Sequence, residues 1–206
     1  MSTASAPRLA PLPRARWGDD VRAALEFAYS NEAAARLCST APDAMRVPNV
    51  LGALMHHPAL AGPYLAYSNV LLHDPAIGHR RRELLVLRVA VRTRSHYEWA
   101  QHVRLAPRVG ISPEEIEAVA EGPRAPQWSP IEALLLTAAD ELIDDHRINA
   151  ATWERLAEHL DERQLVEVVF IVGNYTGLAM ALNSFGVELD PELHEAAHSP
   201  LPEPEE

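Results

Sequence analysis

The chain of 206 residues holds a single cysteine, Cys38. No disulfide can therefore form within it and no C-x-x-C redox pair exists, which excludes a disulfide-stapled scaffold and makes the cytoplasm the expected compartment. No segment reads as membrane-spanning. The longest apolar run, Val168 to Leu182, is interrupted by Gly173, Asn174, Thr176 and Gly177 and falls short of the roughly 20 residues a span needs. The first eighteen residues, MSTASAPRLAPLPRARWG, carry arginine and no acid but lack an apolar signal core, and they read as a loosely ordered arm. A basic balance is missing too: the net charge is −11, so neither nucleic acid nor an anionic membrane is expected as the main partner. Alternation with period two is absent over any useful length, so no strand is expected.

What is present is an ordinary globular composition, 48% hydrophobic and 23% charged, patterned at helical spacing. Helices are expected from Asp19 or Asp20 to Tyr29, Asn31 to Leu37, Asn49 to His57, Pro58 to Leu72, Pro113 to Ala120, Pro130 to Asp144 and Ala150 to Leu160. A last long one, ERQLVEVVFIVGNYTGLAMALNSF, opens at Asp161. Being apolar nearly all round, it reads as the buried axis of the fold. Ser112 with Glu115 and Ser129 with Glu132 spell capping boxes, each with Pro at the first helical position. Trp128 and Trp153 read as structural anchors. One helical domain over 19–190 is expected, followed by a disordered tail over 191–206.

The chemistry-bearing stretch is His79 to Val109, read as two helices with a break at Thr93 to Ser95. At about 100° per residue, Glu83 shares a face with Val86, Leu87 and Ala90, while Arg81, Arg88 and Arg92 fall on the far side. In the second helix Glu98 and His102 lie on one stripe with Leu105 and Val109. Two carboxylates and an imidazole on apolar faces must find partners or shift their pKa values, as acid/base sites do. Ser95 and Glu98 also spell a capping box, so Glu98 reads equally as a cap. The arginines of this stretch are either a solvated face or a rim that attracts a small anion. Sliding the chain by 81 residues lays Glu83, Ser95, Glu98 and His102 over Gln164, Thr176, Ala179 and Asn183, suggesting an internal repeat whose second copy lacks ionisable groups.

The layout RRRELLVLRVAVRTRSHYEWAQHVRLAPRVGISPEEIEAV resembles the core of the carboxymuconolactone decarboxylase-like superfamily, which includes the alkylhydroperoxidase AhpD-like proteins. The resemblance runs from about Pro48 to Leu189. It implies an all-α bundle with an internal helical repeat, assembly into dimers, trimers or hexamers, and no metal or other cofactor. The family's thiol peroxidases read E-x11-C-x2-C-x3-H; this chain reads E-x11-S-x2-E-x3-H, with Glu83 and His102 at the relay positions and Ser95 and Glu98 where the cysteines would stand. A hydroxyl and a carboxylate cannot form a disulfide or pass through sulfenic acid.

The expectation is therefore a small-molecule acid/base enzyme of decarboxylase, lyase or isomerase type acting on a carboxylate or lactone. Glu98 and His102 would handle protons, Glu83 would orient the imidazole, and Ser95 or Tyr97 would donate a hydrogen bond. Arg88 would hold a substrate carboxylate, with Tyr175 and Asn183 lending hydrogen bonds. The alternatives are a thiol-dependent antioxidant protein, which needs Cys38 near the pocket, and a non-catalytic ligand-binding oligomer. A facial metal set of Glu83, Glu98 and His102 is conceivable geometrically, though the resemblance calls for none.

Overall fold

The computed structural model describes residues 6–196 and 201–202, and among these every regular element is helical. Eleven α-helices are described: α1 Asp19–Ala28, α2 Asn31–Cys38, α3 Asn49–Leu54, α4 Pro58–His73, α5 His79–Arg92, α6 His96–Leu105, α7 Pro113–Glu121, α8 Pro130–Asp144, α9 Ala150–Ala157, α10 Glu162–Phe185 and α11 Pro191–Ala196. Their starts follow local chemistry. Ser112 and Glu115 exchange backbone hydrogen bonds as a capping box with Pro113 at the first helical position. Ser129 and Glu132 repeat the device before Pro130. Asp161 and Gln164 do the same at 2.8 and 3.0 Å to open α10.

The chain packs as two compact units, one of residues up to His73 with Ser184–Asp190, the other of Asp74–Asn183 with residues from Pro191 onward. In the first unit α1 lies against α4 over a core of Val21, Leu25, Leu51, Met55 and Ala61. The approach is close because Gly62 has no side chain: a Cβ there would stand 3.1 Å from the Ala24 carbonyl oxygen. The amino-terminal arm is tied down rather than loose. Leu9 N–H donates to Phe185, Leu12 N–H to Gly52, and the Trp17 indole to the Leu12 carbonyl; residues 1–5 lie outside the described residues.

In the second unit α5 is the central element, with α6, α7 and α8 packed around it. Its residues from Arg82 to Ala90 are all buried, a wider face than an amphipathic stripe provides. Leu84, Leu87 and Ala90 join Trp99, Ile111, Ile116, Val119, Trp128 and Leu136 in one core. Trp128 anchors as expected, its indole donating to the Gly122 carbonyl at 2.9 Å. Trp153 does not: it is 42% exposed. The expectation of disorder from Pro191 gives way to helix over Pro191–Ala196, and Leu201 joins the core. Residues 197–200 and 203–206 of that expected tail lie outside the described residues.

Helix α10 is long and apolar enough to cross a membrane by length and composition, with half of that window buried in the chain, as a core helix would be. It is not the fully buried axis expected: Val166, Phe170 and Met180 are exposed. It also runs unbroken through the residues that the 81-residue shift lays over the α5–α6 turn, so the two stretches correspond as helices and not as helix–turn–helix.

Candidate active site

The site begins with the turn that ends α5. Arg94 adopts a left-handed conformation, φ +56°, its N–H bonds the Val91 carbonyl, and the Ser95 N–H bonds the Ala90 carbonyl at 2.9 Å. That pair of bonds is a Schellman closure with arginine at the position glycine usually takes. Its consequence falls on Glu98. A capping box needs the N–H of the capping serine, and here that N–H already serves α5. Ser95 makes no side-chain capping bond, and neither Glu98 oxygen has a hydrogen-bond partner. The S-x-x-E signal that forms boxes at Ser112 and Ser129 thus fails at Ser95, which corrects the capping reading of Glu98.

One turn further along α6, His102 meets Glu83 of α5, its Nδ1 standing 2.5 Å from Glu83 Oε1. Arg82 Nη2 lies 2.8 Å from the other carboxylate oxygen, Oε2, as an ion pair off hydrogen-bond alignment. Glu83 is 0% exposed. Burial pushes its carboxyl upward, but the combined pull of His102 and Arg82 outweighs it and holds the pKa below the ordinary carboxylate value. The edge of Tyr175 on α10 packs against the imidazole, ring centres 5.2 Å apart and nearly perpendicular.

Glu98 shows the opposite outcome at similar burial. It is 2% exposed, no cation among the described residues pairs with it, and burial pushes its carboxyl up to about 8, with the neighbouring Ser95 hydroxyl offsetting this only in part. At neutral pH Glu98 therefore carries its proton while Glu83 does not. Two carboxyl groups with pKa values driven apart by their surroundings are the arrangement that separates an acid from a base. Buried polar atoms without a hydrogen-bond partner gather on the same elements: Arg82 Nε and Nη1, Ser95 Oγ, both oxygens of Glu98, and Thr176 Oγ1 beside Tyr175. Each such atom costs about 1–3 kcal/mol if it stays unpaired. Unpaired atoms of this kind are what a ligand-binding site leaves open.

The expected site residues are only partly brought together. Glu83, His102 and Tyr175 are in contact, with Glu98 one turn from His102 on α6 and Ser95 at the head of that helix. Tyr97 is buried on α6 and its hydroxyl accepts from Gln101. Asn183 serves the turn and not the imidazole, donating to the Thr93 carbonyl at 2.9 Å. Arg88 requires a larger correction. Placed by periodicity on the far side, it is 7% exposed, bidentate to Asp140 at 2.7 and 2.8 Å and donating to the Val119 and Ala120 carbonyls. Its guanidinium packs against Gly122, where a Cβ would stand 2.8 Å from Nη2. Those bonds leave no carboxylate-binding edge for a substrate. Two further arginines of the expected anion-attracting rim are committed within the chain: Arg80 pairs with Glu115 and Glu132, and Arg92 with Asp140 and Asp144.

Arg82, counted in the sequence only as one of a basic run, is the residue that was missed. The one signal for it was its place beside Glu83. Cys38, at the end of α2, is a free thiol. Among the described residues no three His, Cys, Asp or Glu side chains gather to hold a metal ion, so the conceivable set of Glu83, Glu98 and His102 does not form.

Residues 58–141 match the Carboxymuconolactone decarboxylase family. No curated protein matches the sequence. Among solved structures, the chain is similar to an alkylhydroperoxidase AhpD core, an uncharacterized peroxidase-related protein from Ralstonia eutropha JMP134, at 21% identity and TM-score 0.71 over 93% of this chain and 98% of that one. It is similar to an uncharacterized peroxidase-related protein from Silicibacter sp. TM1040 at 17% identity and TM-score 0.72, over 94% and 97%. A debrominase, Bmp8, in complex with 2,3,4-tribromopyrrole aligns at 13% identity and TM-score 0.68, over 95% and 96%. At these identities the shared property is the fold.

Proposed function

We propose, from the match of residues 58–141 to the Carboxymuconolactone decarboxylase family and the fold shared with an AhpD core, that the chain is a small-molecule acid/base enzyme acting on a carbonyl-bearing acid or lactone. The observation that carries this is the split between two buried carboxyl groups, Glu83 ionised against His102 and Arg82, and Glu98 held neutral. With Glu83 on Nδ1, the imidazole is oriented to present Nε2 as the proton acceptor. Glu98 supplies the proton that a developing enolate or carbanion takes up. Removing a proton beside a carbonyl at His102 and returning one from Glu98 is an isomerisation; loss of carbon dioxide followed by protonation from Glu98 is a decarboxylation. A neutral carboxylic acid among apolar walls is suited to either.

A thiol peroxidase is disfavoured by the residues themselves. Ser95 and Glu98 stand at the two cysteine positions of that motif, and neither can carry the redox step. The test is Glu98→Gln, assayed against lactones and oxo acids for substrate turnover. Glutamine keeps the shape and loses the proton, so turnover falls by roughly 10²-fold or more with the fold intact. Full activity in the variant would remove Glu98 from the mechanism.

A further inference from the structure

Arginine does two different things on α5. Arg88 is fully engaged, bridging Asp140 to the end of α7 through four hydrogen bonds, and its role is to hold helices together. Arg82 is as buried, 4% exposed, yet among the described residues its ion pair is with Glu83 Oε2 through Nη2, and Nε and Nη1 are left without a hydrogen-bond partner. A guanidinium used for structure would be bonded out, since each unpaired buried donor costs free energy. What this one contributes is charge, delivered to one carboxylate.

We propose that Arg82 is a positioning residue that sets the charge state of the Glu83–His102 pair, compensating a fully buried carboxylate so that the imidazole remains a proton acceptor. The inference rests on the acid/base reading above and adds to it the residue that assigns the base. The comparison with Glu98 is consistent with it: both carboxyl groups are buried, but only the one that has His102 and, after it, Arg82 as partners is driven downward. With Arg82 present, Glu83 and the guanidinium cancel and the imidazole need not be charged. Without it, the buried carboxylate has no compensating cation, and the pair takes up a proton to restore neutrality. Tyr175 on α10 packs its ring edge against the imidazole, and Glu98 lies one turn back from His102 along α6. Arg80, Arg88 and Arg92 on α5 are committed to Glu115, Glu132, Asp140 and Asp144 and do not replace Arg82.

The experiment is an NMR titration of the His102 ring in the full-length chain labelled with ¹⁵N-histidine, with the His102 signal assigned from its loss in His102→Gln. In Arg82→Met the pair takes up its proton at a pH higher by about one unit or more, the scale of an opposite charge removed from within a few ångströms. Arg82→Lys, which restores the charge, returns most of the shift, whereas a purely structural role would track stability and not charge. If neither variant folds, the wild-type tautomer decides: a proton on Nδ1 and a bare Nε2 at pH 8 support the proposal, and a doubly protonated ring there overturns it. A folded Arg82→Met with an unmoved titration also overturns it, leaving the roles of Glu98 and His102 in place. A shifted titration together with full activity in Glu98→Gln would keep Arg82's role and sink the acid/base reading instead.

Discussion

At the scale of single residues, identical side chains acquire opposite properties from what surrounds them. Glu83 and Glu98 differ in their partners: a guanidinium and an imidazole stand at the first, while both oxygens of the second are buried without a hydrogen-bond partner. Arg82 and Arg88 differ in the converse sense, one underbonded and one saturated. That contrast makes a prediction about Arg88. Arg88→Met strips donors from Asp140 and from the Val119 and Ala120 carbonyls, while Asp140 keeps Arg92 at 2.6 Å. Stability should fall by about 2–4 kcal/mol, the range for breaking a buried pair that retains some compensation. Turnover per folded molecule should be unchanged, because the four bonds leave Arg88 no pair of donors with which to hold a substrate carboxylate. A rise in KM at constant stability, measured by denaturant unfolding alongside kinetics, would return Arg88 to the substrate-binding set.

At the scale of helices, the three S-x-x-E signals give one rule and one exception, each with a measurable cost. Ser112→Ala removes a side chain that accepts from the Glu115 N–H and should cost about 1 kcal/mol. Ser95→Ala removes a buried hydroxyl that caps no backbone N–H of α6 and should cost a few tenths of that or nothing. Equal losses in thermal unfolding would mean that Ser95 caps α6 after all. The same comparison shows how far the sequence was legible. Pro at the first helical position and the reciprocal serine–glutamate pairing placed the starts of α7 and α8, because both signals act within one turn. The break before α6 was also visible, but its closure was not: whether Ser95 gives its N–H to Glu98 or to Ala90 depends on Arg94 taking a left-handed conformation, which nothing local to a non-glycine residue announces. Periodicity put Glu83 and His102 on inward faces correctly. It sent Arg88 to solvent because a helical wheel ranks faces by polarity and cannot see α8 arriving with Asp140 and Asp144. The hint was there in the matched spacing, Arg88 and Arg92 four apart on α5 against Asp140 and Asp144 four apart on α8.

At the scale of the whole chain, these charge states make stability depend on pH in two separate windows. Glu83, Glu115 and Glu132 are held below the ordinary carboxylate value by their partners; such groups contribute stability above the unfolded-state pKa and lose it as pH falls into the acid range. Glu98 has the opposite sign. Its folded pKa of about 8 lies above the unfolded value, so the native state holds a proton that the unfolded chain releases. Its contribution is fully present below about pH 4.5, declines as pH rises, and is lost by about pH 8. Each tenfold change in proton affinity between the folded and unfolded chain is worth about 1.4 kcal/mol, so the decline is on the order of a few kcal/mol. Glu98→Gln removes that contribution and leaves the acid-side ones untouched. The decisive measurement is therefore denaturant unfolding of the wild type and Glu98→Gln at pH 5, 7 and 9. The account predicts that the variant gains on the wild type by a few kcal/mol between pH 5 and pH 9, with most of the gain complete by about pH 8. Parallel curves across that range would mean that Glu98 ionises as an ordinary carboxylate, and the buried acid on which the proposed chemistry depends would not exist.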